Sequence, residues 1–351
     1  MTEALKYDDI VEEISIESLS DLREQIVYNK KFQRCIYRGH SKSDSFKLVP
    51  SILRLEGNSL NEKREDFYIK ELRLLLQFYL ESNKHGLYVP NIPSFFQFGA
   101  ATEFDLSLVL KDLECTWLPN EVIELAALAQ HYGIHTRLLD WTQDIRVALY
   151  FAASGVEESQ KENMAVWCIN AGDLTDIGEF FDRSHETAEV LSYDGQGDHL
   201  EKWEFIRNLN ADVLPLRFFI PHYDVNSNIN AQKGILSIWQ YNLLKDKECV
   251  KEYNSVEELR RYASEHKTYF LNECIKEDTK PLEILILDYF NQNDLKQKEI
   301  KEMTGKMLYK VIIKKELKKE LLNMLLSDGY NRARIYPGYN GVAEMIMNHE
   351  V

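Results

Sequence analysis

The strand-like runs of this 351-residue chain do not alternate with helices in a regular way, and that spacing constrains its fold more than any other feature. A doubly wound parallel sheet needs repeated strand–helix–strand units. Here FQRCIYRGH (32–40), MAVWCIN (164–170) and ILSIW (235–239) read as strands, with EILILDYF (283–290) and KMLYKVIIK (306–314) as further strand expectations. Helical patterns crowd the interval between the first two. Leu72, Leu75, Leu76, Tyr79 and Leu80 fall on one face of a helix over 61–83, and helical signal returns over 102–114. A third helix runs over 119–131, opened by Pro119 and Asn120 and stopped by Gly133, and a fourth over 143–154. KELKKELLNMLLSDG (315–329) reads as a helix ended by Gly329, whereas 84–101, with Pro90, Pro93 and Gly99, reads as loop. The pattern predicts an α+β fold. No repeat or Pro/Gly-rich linker marks a boundary, so a single domain over 1–351 is expected.

Composition narrows the function classes. Lys and Arg total 42 against 57 Asp and Glu, a net charge of −15, which argues against nucleic-acid binding driven by charge alone. No run approaches the roughly 20 apolar residues needed to span a bilayer, and no membrane partner is expected. The acidic start, MTEALKYDDIVEEISIE, predicts no secretory signal. Cys35, Cys115, Cys168, Cys249 and Cys274 form no CxxC pair, which predicts a reducing, cytoplasmic setting and no structural zinc. The dinucleotide GxGxxG, the phosphate-binding GxxxxGK[ST] and the nucleophile elbow GxSxG are all missing from the sequence.

Three clusters carry chemistry. The densest is AQHYGIHTRLLDWTQD, 129–144. His131 and His135 have HxxxH spacing, but Gly133 interrupts the helix between them and no Glu follows His131. They read as hydrogen-bonding histidines rather than metal ligands. Arg137 and Asp140 read as an ion pair that fixes a turn, and Trp141 as core. The second cluster, Tyr37 to His40, ends the first strand. Arg38 there can clamp a phosphate or carboxylate and Gly39 can admit a ligand to the backbone, or the segment is a strand followed by an ordinary turn. The third, NINAQKGILSIW (228–239), presents Gln232 at a sheet edge or in a plain loop. The lysines of 298–320 are interleaved with Glu and read as a solvated surface.

In order along the chain, these clusters resemble the FRG domain family. Tyr37-Arg38-Gly39 occupies the place of its Phe/Tyr-Arg-Gly motif, and LAQHYGIHTRLLDWTQDIRVALYFA (128–152) is similar to its longest motif. AQKGILSIW (231–239) resembles its AQ-x-G motif, and GYNRARIYPGYNGVAEMI (329–346) its closing segment. The resemblance covers roughly residues 15 to 347, with 58–118 as a helical insertion. The same three motifs are similar in order to those of the ADP-ribosyltransferase superfamily.

That second resemblance implies a split, two-sheet core and an NAD-dependent transfer of ADP-ribose to a macromolecule, either nucleic acid or protein. It implies a toxin or phage-defence effector, without a metal and with a possible antitoxin protein as partner. By the same resemblance Arg38, Gln232 and Asp140 are catalytic. Tyr37, Arg38, Gly39, His131, His135, Arg137, Thr142, Tyr150 and Phe151 hold NAD. Gly39 would hold the nicotinamide amide with its backbone, and Tyr150 or Phe151 would stack. Gln232 stands where the superfamily carries Glu, and a neutral amide cannot act as a base. Asn228 stands where relatives carry a basic residue. The rival readings are a non-catalytic module that binds a nucleotide or protein, and a metal-dependent nuclease using His131, His135 and Asp140.

Overall fold

A computed structural model describes residues 4–54, 67–92, 116–118, 120–170, 214–221, 227–239, 241–242, 280–292, 300 and 305–347. The strands are β1 (Val11–Ile16), β2 (Ile36–His40), β3 (Thr116–Trp117), β4 (Leu139–Thr142), β5 (Met164–Ile169), β6 (Leu216–Phe219), β7 (Gly234–Trp239), β8 (Tyr241–Asn242) and β9 (Leu308–Ile313). The helices are α1 (Tyr7–Ile10), α2 (Leu19–Leu22), α3 (Phe67–Lys84), α4 (Asn120–His131), α5 (Ile145–Ser154), α6 (Ser227–Ala231), α7 (Leu282–Asn291), α8 (Lys318–Ser327), α9 (Arg332–Ile335) and α10 (Tyr339–Met347). Seven strands form one mixed sheet in the order β1-β9-β5-β2-β4-β7-β6, and β3 pairs with β8 in a separate ribbon. Only β1 and β9 run parallel; the remaining neighbours are antiparallel. The chain is therefore α+β, as its strand spacing predicts.

Both faces of the sheet are covered. Every residue of β5 is buried, as befits a central strand packed on both sides. Alternation sends Tyr37, Val166, Cys168, Val311 and Ile313 to one face, where they pack with α5 and α8. Ile36, Trp167, Ile169 and Leu308 go to the other, beneath Leu282, Ile286 and Phe290 of α7. On the first face α5 lies very close to β2. A Cβ on Gly39 would sit 2.0 Å from the Ala148 carbonyl oxygen and 2.8 Å from the Ala152 nitrogen. Only a glycine lets that helix backbone rest on that strand.

The sheet is unevenly stitched. β2 pairs with β5 along its whole length, Ile36 to His40, and β4 pairs with β7 from Leu139 to Thr142. Between β2 and β4 the register holds one pair, Tyr37 with Thr142. The two halves of the sheet meet at this seam.

Several expectations change. EILILDYF is not a strand but the body of α7. Leu282, Leu285, Ile286 and Phe290 are its buried apolar residues, at helical spacing, and Pro281 starts it. The first strand begins at Ile36, after a turn in which Cys35 N donates to the Phe32 carbonyl oxygen. The helix expected over 61–83 is α3, and Leu80 on its presumed apolar face is 49% exposed. Gly133 and Gly329 end their helices with φ of +87° and +80°, in the left-handed conformation glycine favours. The 102–114 helix lies outside the described residues, as does most of the expected insertion. Among the described residues, no helix is long and apolar enough to cross a membrane.

Candidate functional site

At the seam a side chain takes over from backbone pairing. Arg38 Nη1 donates to the Asp140 carbonyl oxygen at 2.7 Å and lies 3.5 Å from Asp140 Oδ2. Arg38 Nε donates to His40 Nε2 at 3.0 Å, and His40 Nδ1 lies 3.2 Å from the Phe46 carbonyl oxygen. An imidazole that accepts at Nε2 and donates at Nδ1 is neutral. The electrostatics agree: burial first, then the adjacent Arg38 charge, pushes His40 down to about 3. Burial also lowers Arg38, and Asp140 opposes that shift. Arg54, at the end of the 3-10 turn Ser51–Arg54, adds a second positive charge that acts on both Arg38 and His40. The seam thus holds the Arg38 guanidinium and the Asp140 carboxylate, whose side chain is 63% exposed, with the Arg54 charge near enough to act on Arg38.

Asp140 is fixed from the side of α4. Gln130 donates its amide to Asp140 Oδ1 and accepts the Thr136 hydroxyl on its own carbonyl. His131, the last residue of α4, takes the Asn228 amide on Nε2 at 2.9 Å. Burial pushes His131 down and the Asp140 charge draws it back up. His135 lies beyond the Gly133 turn and is exposed. The two histidines therefore share no helix face, and among the described residues no three His, Cys, Asp or Glu side chains gather to hold a metal.

Gln232 sits behind the seam. Thr142 Oγ1 donates to its main-chain carbonyl at 2.6 Å, and its side-chain amide donates to the Ile335 carbonyl at 3.1 Å. The next residue, Lys233, has φ of +48°, unusual for a side chain with a Cβ. Its Nζ lies 3.2 Å from Asp144 Oδ2, which also takes the Tyr330 hydroxyl at 2.6 Å. Asp144 caps α5 through the Arg146 amide. Burial pushes its carboxyl up, but Tyr330, the Arg146 amide and Lys233 outweigh that and hold it below the usual range.

The structure brings Arg38 to Asp140, Asn228 to His131 and Thr142 to Gln232, but it moves other expected residues away. Arg137 does not pair with Asp140. Its Nε and its main-chain nitrogen both bond to the Glu71 carboxylate of α3, the latter at 2.7 Å, and both side chains are buried. Arg137 belongs to a buried ion pair in the scaffold, not to the seam. Tyr37 points to the face opposite Arg38, where its hydroxyl donates to the Phe32 carbonyl. Tyr150 is 2% exposed, bonded to Arg332 and part of the α5 core, so its ring has no face for a ligand. Phe151 packs edge-on against Tyr150 and Tyr336. Gly39 turns its Cα toward α5, and the close approach it permits is that of a helix.

Sequence reasoning did not assign His40, Gln130 or Arg54 to the site. His40 closes the Tyr37–His40 cluster and Gln130 lies in the 129–144 cluster, so both carry a sequence signal. Arg54 stands in no motif and has no sequence signal.

No curated protein and no solved structure matches the chain. Residues 33–162 match the FRG domain. Arg38, His40, Arg54, Gln130, His131 and Asp140 all fall within that span, so the seam is built from it and the chain carries an FRG domain over residues 33–162.

Proposed function

We propose that the chain is an NAD-dependent ADP-ribosyltransferase-like effector, with the nucleotide held at the seam between β2 and β4. One observation carries the reading: the Arg38 guanidinium bridges the sparsely paired seam of the sheet to the exposed Asp140 carboxylate, within reach of the Arg54 charge. A crevice between strands that part is a common place for a ligand. Two guanidinium groups suit a diphosphate. The motif resemblance to ADP-ribosyltransferases supplies the choice of NAD.

The chemistry divides among these groups. The bond between ribose C1′ and the nicotinamide nitrogen breaks, and its electron pair leaves with neutral nicotinamide. Positive charge grows on the ribose, where a carboxylate such as Asp140 stabilises it more than an amide can. An acceptor oxygen or nitrogen then bonds to C1′ and gives up its proton to solvent water. Gln232 serves as a hydrogen-bonding group and not as a base. The acceptor is a macromolecule, nucleic acid or protein. The effector acts in the cytoplasm as a toxin or in phage defence, with an antitoxin protein to restrain it. Buried Cys35 and Cys168 form no disulfide, which is compatible with a reducing compartment.

A second reading, a module that binds nucleotide without turnover, has its own observation in favour. The Gln232 amide is already committed to the Ile335 carbonyl, and the side chain has no negative charge to offer. Labelled NAD incubated with the pure protein and a cell extract separates the two. Label passing to a macromolecular fraction, and lost with folded Arg38→Ala, supports transfer. Binding of NAD without any label transfer leaves the binding module.

A further inference from the structure

The β-sheet registers align four side chains in one row. Glu13 of β1 stands opposite Lys310 of β9, Lys310 opposite Trp167 of β5, and Trp167 opposite Arg38 of β2. Directly paired residues share a face, so the row crosses the sheet from the β1 edge to the seam on the α7 side. Strands lie about 4.8 Å apart, so Lys310 and Arg38 are two steps, about 10 Å, from each other at the backbone. Both have long side chains with Trp167 between them.

The buried middle of this row offers donors. The Lys310 side chain is 7% exposed, with Nζ 5.9 Å from the centroid of the Trp167 ring. Its counterions are Glu13 at 3.0 Å and Asp44 at 4.0 Å, which are 47% and 74% exposed. Trp167 is 1% exposed, and its Nε1–H has no hydrogen-bond partner among the described residues. Indole nitrogen is a donor only, and a buried donor left unpaired costs about 1–3 kcal/mol. Arg38 completes the row with its guanidinium. On the covering helix α7, Glu283 is 3% exposed with Oε2 unpartnered among the described residues, and its charge interacts with that of Lys310. Burial raises it toward the neutral acid, with Lys47 and Lys310 opposing. An ammonium, an indole N–H and a guanidinium whose Nε and Nη1 are held by His40 and Asp140 thus lie along one row of paired residues, with the carboxylates of Glu13, Asp44 and Asp140 at its exposed ends, an arrangement that suits an anion.

We propose that Lys310, Trp167 and Arg38 form an anion-binding track that takes phosphoryl oxygens, entered from the seam. The track shares Arg38 with the NAD site proposed above and rests on that reading for its nucleotide, but it needs no turnover. A dinucleotide diphosphate and free inorganic pyrophosphate present the same chemistry. The binding arms distinguish them.

The test is calorimetric titration of the full chain with ADP-ribose, with inorganic pyrophosphate and with adenosine, which has no phosphate. Trp167→Phe keeps the ring and removes the N–H. Lys310→Met keeps the length and removes the charge, and Lys310→Arg restores a cation. Each variant is first shown to melt like the wild type. ADP-ribose affinity is expected to fall about tenfold in Trp167→Phe, the value of one hydrogen bond to an anion, and further in Lys310→Met. Lys310→Arg should recover most of the loss. Adenosine binding should not change in any variant. Pyrophosphate competing with ADP-ribose makes the track a general phosphate site; ADP-ribose binding without such competition makes it a nucleotide site, and both support the track. Equal ADP-ribose affinity in wild type, Trp167→Phe and Lys310→Met overturns it, as does a wild type that binds neither phosphate compound. A chain that binds ADP-ribose through this row yet transfers no label from NAD keeps the track and loses the transferase reading.

Discussion

Arg38 does between β2 and β4 what main-chain pairing does between the other strands, and this dual duty shapes what its replacement should do. Arg38→Lys keeps a charge but cannot reach the Asp140 carbonyl and His40 together with a planar fork. It should bind nucleotide at least tenfold more weakly while melting close to wild type, and Arg38→Ala should also lose growth inhibition on expression in bacteria. A folded, fully toxic Arg38→Ala would remove the seam from the mechanism. Its neighbour His40 predicts a pH dependence. The native value near 3 lies below the ordinary 6.5, so the folded state binds fewer protons between them. Stability contributed by neutral His40 is complete above about pH 6.5 and is lost as pH falls toward 3, at up to about 1.4 kcal/mol per pH unit. Chemical denaturation across that window should show the slope, and His40→Gln should flatten it. Glu71 makes a sharper scaffold test. Removing its carboxylate takes two hydrogen bonds and a close counter-charge from buried Arg137, so Glu71→Ala should cost about 3–5 kcal/mol by urea denaturation.

At the scale of elements, the decisive contact is α5 on β2. Gly39→Ala would set a methyl 2.0 Å from the Ala148 carbonyl oxygen, so the helix has to lift off the strand. Neither partner atom is a flexible side-chain end. We expect a loss of about 3 kcal/mol or more, in the range of overpacked core sites, read as a lowered urea midpoint with nucleotide binding reduced as the seam shifts. This glycine also shows what a sequence can and cannot tell. Its place in the Tyr37-Arg38-Gly39 motif was plain, but the residue that fills the space beside it comes from α5, more than a hundred positions along the chain. The helices α4, α5 and α8 were legible because their apolar spacing and glycine stops are local signals. α7 was not: its run EILILDYF is β-branched and short, and only burial at Leu282, Ile286 and Phe290 reveals its period. Likewise, charge alone could pair Arg137 with either Asp140 or Glu71. The choice was made by α3, which delivers Glu71 from 66 residues away.

Across the whole molecule, the seam is a meeting place of distant chain segments, and Gln232 is where the C-terminal part joins it. Its amide holds the Ile335 carbonyl, Tyr330 holds Asp144, and Asp144 pairs with Lys233, whose φ is +48°. Gln232→Glu tests both this brace and the reaction. The carboxylate cannot donate to Ile335 and sets a negative oxygen against a carbonyl oxygen. The brace should loosen at a cost of about 1–3 kcal/mol, the penalty of an unmade hydrogen bond in a partly buried place. In a transferase the new carboxylate stabilises positive charge on the ribose, so NAD turnover should stay level or rise even as the melting temperature falls. In a binding module the same loss of stability should come with no turnover at all. Both measurements are to be repeated in EDTA. Ribose transfer by Arg38, Asp140 and Gln232 needs no metal, so chelation should leave the turnover of wild type and Gln232→Glu unchanged. Activity lost in EDTA and restored by zinc or manganese would move the chemistry to a metal-dependent nuclease, even though Asn228 already occupies His131 Nε2 and the Gly133 turn separates His131 from His135.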